Sequence, residues 1–137
     1  MSLVQSKIAK LQNFIARNPA QADSPIGIAA GTYVTPRTAL SMLQKGQNIN
    51  AVIGALKVIG VDPPEQDWAL VEQYYVQRTQ QPRRKLKTFR LPVTIRGHAM
   101  TDEEALQHIR AKDAIGQELL RIYQGYLGEM GRRMEKA

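Results

Sequence analysis

The chain has no cysteine. A disulfide framework, a thiolate metal site and a cysteine nucleophile are therefore excluded, and the composition suits an intracellular protein. Histidine is nearly as scarce, with His98 and His108 alone, and aromatic residues make up only 6%. No apolar run reaches the roughly 18 residues that a membrane span requires. Lys7 and Lys10 interrupt the apolar pattern of the N-terminal stretch MSLVQSKIAKLQNF, which is not the unbroken apolar core of a secretory signal. There is also no glycine-rich phosphate loop, nucleophile elbow or HExxH. Asp102, Glu103 and Glu104 follow Thr101 in the spacing of a helix capping box, so they have a local role and leave no paired acid and base. His108 lies four residues after Glu104, where a surface helix pair is expected in place of a metal site lacking further ligands. The sequence reads as non-enzymatic, with no metal and no cofactor.

Positive charge is what the chain has in excess. Nineteen Lys and Arg face 12 Asp and Glu, a formal charge of +7 with a pI near 9.9, which points to nucleic acid before an acidic membrane surface. The charge is partitioned. Residues 1–60 carry six basic and one acidic side chain, 61–78 one and four, 79–98 six and none, and 99–137 six and seven. The stretch QQPRRKLKTFRLPVTIRG, from Gln80 to Gly97, concentrates Arg83, Arg84, Lys85, Lys87, Arg90 and Arg96 without one carboxylate, an electrostatic handle for a polyanion. Its second half alternates, Phe89, Leu91, Val93 and Ile95 against Arg90, Pro92, Thr94 and Arg96. That is the period of a half-buried strand needing a partner in the fold, on another subunit or on a ligand.

Elsewhere the periodicity is helical. Val4, Ile8, Leu11 and Ile15 mark one face of a helix over 3–17 that Asn18-Pro19 ends. Residues 20–34, with Pro25, Gly27 and Gly31, read as a loop with a short ordered piece. Thr35-Pro36 opens a helix that Gly46 closes; Asn48 or Asn50 caps the next, whose Val52, Ile53, Leu56 and Ile59 face a core. Asp62-Pro63-Pro64-Glu65 starts a helix in which Trp68, Val71 and Tyr75, with Leu70 and Tyr74, form a buried stripe rather than stacking platforms for bases. Thr101 opens the longest helix, reaching toward the C-terminus, with Gly125, Gly128 and Gly131 at every third position. The apolar fraction of 43% and charged fraction of 23% are those of an ordinary globular chain. The expected fold is an all-α small helical bundle with an N-terminal helical arm and a basic extended connector. It divides into a basic part, 1–60, and a helical body, 61–137, interrupted by the connector 80–97.

Two resemblances sharpen the functional expectation. The run TPRTALSMLQKGQNINAVIGALKVIGVDP, Thr35 to Pro63, resembles the recognition helix and following helix of repressor-type helix-turn-helix regulators. The resemblance implies that Thr35, Arg37, Thr38 and Ser41 meet bases and phosphates, with Lys45 near the backbone, and that a helix precedes them around Ser24 to Thr32. A small, basic, cysteine-free helical chain with a helical N-terminus is also similar to coat proteins of filamentous and rod-shaped archaeal viruses, and IYQGY at Ile122 to Tyr126 is similar to a run in one such family. That resemblance implies self-assembly around duplex DNA, in a virion or the cytoplasm. Under it, Lys7, Lys10, Arg17, Arg37, Lys45, Arg83, Arg84, Lys85, Lys87, Arg90 and Arg96 would contact phosphates without base reading. A dimeric transcription regulator is the second expectation, and a small helical subunit of a ribonucleoprotein complex the third. The partners expected are nucleic acid, duplex DNA first, and further copies of the chain or of a homologous subunit.

Overall fold

The computed structural model describes residues 2–59, 64–80, 93–95 and 98–137. In chain order the described elements are α1 (Leu3–Arg17), β1 (Gly27–Ala29), β2 (Thr32–Val34), α2 (Pro36–Lys45), α3 (Ile49–Lys57), α4 (Pro64–Gln80), β3 (Val93–Ile95), β4 (His98–Met100), α5 (Asp102–Ala111) and α6 (Ala114–Lys136). Six helices against two three-residue hairpins make this the mostly helical small fold that the periodicity calls for. No described helix is long and apolar enough to cross a membrane.

Helix α1 starts at a capping box, where the Ser2 hydroxyl accepts from the Gln5 N–H and the Gln5 side chain accepts from the Ser2 N–H. Its apolar stripe buries Leu11 and Phe14 fully, with Val4, Ile8 and Ile15 packed at the edge of the core. Fully burying a side chain such as Phe14 is worth roughly 1.5–3 kcal/mol. Because α1 packs on both α2 and α6, the N-terminal helix is docked on the body and is not free.

The segment after α1, expected as a loop with a short ordered piece, is ordered as a turn and a hairpin. A short 3₁₀ turn, Pro19–Gln21, leads to an antiparallel hairpin in which Gly27 pairs with Val34, Ile28 with Tyr33 and Ala29 with Thr32. The helix that the regulator pattern places over Ser24 to Thr32 is therefore absent. Pro25 and Gly27 disfavour a helix, and Ala30 and Gly31 adopt φ of 52° and 76°, the doubly positive pair whose twist suits a two-residue hairpin. The Tyr123 hydroxyl donates to the Pro25 carbonyl at 2.6 Å, and Ser24 and Tyr126 share a 3.0 Å hydroxyl contact. Together they bind this segment to α6.

One open expectation is decided and another is corrected. The extended segment ending at Ile95 finds its partner within the chain, β3 pairing with β4 as Val93 to Met100 and Ile95 to His98; Phe89 to Pro92 lie outside the described residues. The long C-terminal helix is two helices. Lys112 takes a left-handed φ of 52° and Asp113 caps α6 by accepting from the Gly116 N–H, a break that aspartate at a cap position favours.

The element order α, β, β, α, α occurs twice, and the second hairpin and helix repeat the first residue for residue. Gly27 and Val93 open the hairpins 66 positions apart, as do Thr35 and Thr101 as caps and Gly46 and Lys112 as left-handed ends of ten-residue helices. Both caps are complete capping boxes. The inward positions agree as well: Val34 and Met100, Pro36 and Asp102, Ala39 and Ala105, Leu43 and Ile109 are all buried. Gly31 and Gly97, Thr35 and Thr101, Ala39 and Ala105, and Leu40 and Leu106 are identical pairs.

One hydrophobic cluster spans both parts of the chain, joining Leu11, Phe14 and Val52 to Leu70, Ile109, Leu127 and Met130. The boundary near residue 60 therefore separates two sequence regions that share a core. Trp68, Tyr74 and Tyr75 pack against that core, as their spacing indicated. Tyr74 sits 5.0 Å from Tyr123, centroid to centroid, and burial pushes the Tyr75 hydroxyl up to about 12. The half-buried Arg78–Asp102 ion pair, 2.8 Å, ties the end of α4 to the start of α5, with the Arg78 guanidinium over the Tyr74 and Tyr75 rings.

Candidate nucleic-acid interface

Between Asp23 and Asp62 the chain contains no carboxylate. This window folds as β1, β2, α2 and α3. Thr35 starts α2 with a reciprocal cap: its hydroxyl accepts from the Thr38 N–H at 3.1 Å, while the Thr38 hydroxyl accepts from the Thr35 N–H at 2.7 Å. Pro36 follows at the first helical position, where a missing N–H costs nothing. Gly46 ends the helix at φ 72°, a conformation that any side chain would strain, and α3 begins at Ile49. The apolar positions Ala39 and Leu43 turn inward. Arg37, Thr38, Gln44, Lys45, Gln47, Asn48 and Asn50 remain exposed, with Ser41 half-exposed beside them and Tyr33 exposed on β2. Every member of this face donates hydrogen bonds or carries positive charge, and the carboxylate that reaches it, Asp23, is bonded to Arg37.

Thr38 is bonded to Thr35 within the cap, and Arg37 is held by a charged partner from outside the helix. Its Nε donates to Asp23 Oδ1 at 2.9 Å and its Nη2 to Asp23 Oδ2 at 3.5 Å. The bond to Asp23 pushes the guanidinium further above its ordinary value, so it stays charged. The Arg37 backbone N–H donates to the Ala22 carbonyl at 2.9 Å, which locks the start of α2 to the segment that carries Asp23.

The other residues expected to meet a polyanion are dispersed. Lys7 and Lys10 both reach Glu135 near the C-terminal end of α6, at 3.3 and 3.1 Å, and line a cavity of about 40 Å³ with Leu11, Leu56, Ile59 and Met134. Hydrogen bonding from Lys10, with the Lys7 charge next, holds the Glu135 carboxyl below its usual range. These two lysines share one carboxylate, which offsets one of their two charges. Arg17 and Lys45 are exposed and have no carboxylate within ion-pair reach among the described residues. Arg83, Arg84, Lys85, Lys87, Arg90 and Arg96 lie outside the described residues.

Several members of the face escaped sequence reasoning. Tyr33, Gln44, Gln47 and Asn50 carry no charge and belong to no motif, and Asp23 became relevant only because the hairpin brings it back against α2. His108 pairs with Asp113 at 2.6 Å and not with Glu104, whose carboxylate instead accepts from the Thr101 N–H at 2.9 Å. No cluster of three His, Asp or Glu suited to a metal occurs among the described residues. The Tyr123, Tyr126 and Tyr74 hydroxyls are held by hydrogen bonds to Pro25, Ser24 and Arg78, and Tyr75 meets Tyr74 edge to face.

No protein-family model matches the chain, and no curated protein or solved structure is significantly similar to it.

Proposed function

We propose that this is a non-enzymatic protein that binds duplex DNA by docking the outer face of α2 and the α2–α3 turn in a groove. The observation that carries the reading is the polar and basic face itself: Arg37, Thr38, Ser41, Gln44 and Lys45 on one helix, continued by Gln47, Asn48 and Asn50, all from a stretch of sequence without a carboxylate. An α-helix fits the major groove, and residues of its first turns reach base edges while flanking residues hold phosphates. The hairpin β1–β2 takes the place of the helix that usually crosses the backbone in helix-turn-helix modules, and α1 supports α2 from behind its buried side. The basic run 83–96 adds phosphate contacts on electrostatic grounds.

Self-assembly around DNA is the second reading. It is favoured by the length of that basic run and by Leu3 and Ile122, large apolar side chains more than half exposed on α1 and α6, which a neighbouring subunit would cover.

The test is the salt dependence of affinity for a random duplex. Each phosphate contact adds roughly 0.9 to the log–log slope, so Lys45→Ala, which removes a cation of α2 that has no carboxylate in reach among the described residues, should flatten it by about 1. An unchanged slope removes α2 from the interface. Filaments of fixed diameter in electron micrographs would favour packaging over regulation.

A further inference from the structure

The two copies of the hairpin-and-helix unit serve as each other's control. The helix lengths, the caps and the inward positions of α2 and α5 agree, so what differs on their outer faces is not demanded by the fold. The second position of each helix is Arg37 in α2 and Glu103 in α5. A helix N-terminus carries partial positive charge and favours acidic side chains there. Helix α5 follows that rule with Asp102, Glu103 and Glu104, and α2 breaks it with an arginine and no acidic residue in its first turn. The cost is offset from outside the helix by Asp23, which returns a carboxylate to the start of α2 through the 2.9 Å bond to Arg37.

That bond also sets what Arg37 can present. A guanidinium has five N–H donors in a planar fork. Asp23 holds the edge formed by Nε and Nη2, leaving the terminal edge, both Nη1 protons and one on Nη2, directed away from the carboxylate. Two parallel donors on a terminal edge match O6 and N7 of guanine in the major groove. The exposed neighbours Thr38 and Gln44 are uncharged and do not compete for the guanidinium. An arginine that only neutralised phosphate would gain nothing from a carboxylate beside it, because the pair's net charge is zero; one that reads a base gains a fixed orientation before binding.

We propose that binding is selective for guanine, with Arg37 reading the base edge and Asp23 acting as the positioning residue that aims it. This rests on the DNA-binding reading above and adds sequence discrimination to it.

The experiment uses the full chain and fluorescently labelled duplexes. Selection from a randomised duplex pool gives the preferred sequence, and titrations compare it with the same duplex carrying A·T at each G·C pair in turn. A bidentate arginine–guanine pair discriminates by roughly 5- to 150-fold, so one position should show a loss in that range on replacement. Asp23→Asn, exposed and therefore harmless to folding, should cut discrimination at that position several-fold while affinity for random duplex rises. Arg37→Lys keeps the charge and should lose the same discrimination. The proposal is overturned if selection enriches no guanine, or if Asp23→Asn tightens every duplex equally and leaves discrimination intact, which would make Arg37 a phosphate contact and Asp23 its competitor. Either result leaves the DNA-binding reading standing. Absence of duplex binding by the unmodified chain overturns both.

Discussion

Gly116 offers a stability test whose sign and size follow from geometry. It lies in the first turn of α6, where that helix crosses the end of α5. A Cβ added there would fall inside the van der Waals envelope of the His108 carbonyl oxygen and 2.8 Å from the carbonyl carbon, with the Ile109 Cα at 3.3 Å. Carbon atoms rest about 3.5 Å apart or more, and the obstacle is backbone rather than a side-chain tip, so the two helices must part. Overpacking of this kind costs about 1–3 kcal/mol. The 2.8 Å cap from the Gly116 N–H to Asp113 is strained by the same movement, for about 1 kcal/mol more. Alanine recovers about 1 kcal/mol of helix propensity. Gly116→Ala should therefore destabilise by about 2 kcal/mol, lowering Tm by roughly 6–8 °C for a chain of this size. Gly125→Ala is the control: it has nothing within 4 Å and lies exposed on the same helix, so it should stabilise by up to about 1 kcal/mol. Thermal unfolding followed by circular dichroism measures both. A Gly116→Ala protein as stable as its parent would refute the close crossing of α5 and α6.

Three further outcomes are expected. Phe14→Ala, which empties a fully buried site between α1 and the body, should cost about 3–5 kcal/mol in urea unfolding; a smaller loss would mean that α1 is loosely docked. Asp67 is buried, accepts from Gln124 Nε2 at 2.6 Å through one oxygen and leaves the other without a partner. Burial raises its carboxyl above the ordinary value, so the folded state binds the proton more tightly and the residue costs stability above its folded pKa, a cost that disappears as pH falls below the unfolded value. Asp67→Asn should therefore gain relative to the parent at pH 7 and lose that advantage toward pH 4; a difference independent of pH would contradict the assignment. Lys7→Gln with Lys10→Gln should change the salt slope of duplex binding by no more than about one, because Glu135 offsets one of the two charges and holds both side chains; a drop near two would return α1 to the interface.

Much of the fold was legible because helices announce themselves through period and caps. Thr35-Pro36 and Gly46 mark α2, Thr101 with Glu104 marks α5, and the 4–8–11–15 stripe marks α1. The hairpins were harder. Strands β1, β2 and β4 have three residues each, too few to show alternation, whereas the alternation ending at Ile95 covered β3; the turn of the first hairpin is Ala30-Gly31 in place of the asparagine-glycine or aspartate-glycine pair that signals such turns. The break at Lys112 was hidden because a non-glycine residue takes the left-handed conformation there. The repeat was invisible because its agreement lies in burial, caps and lengths, with few identical side chains. Of the candidate site, the cations Arg37 and Lys45 could be read from charge, whereas Asp23 as the partner of Arg37 required the fold. Charge alone also placed Lys7 and Lys10 beside a polyanion, since nothing local in sequence shows that Glu135, more than a hundred residues away, meets them.

The most direct test of the interface is to map amide chemical shifts of the ¹⁵N-labelled chain as a short duplex is added at low salt. The account expects the largest perturbations from Thr32 to Asn50, with Arg37, Thr38 and Lys45 prominent and the outer face of α5, with Glu103 and Glu104, unchanged. Perturbations centred on α4 to α6, with α2 silent, would contradict it.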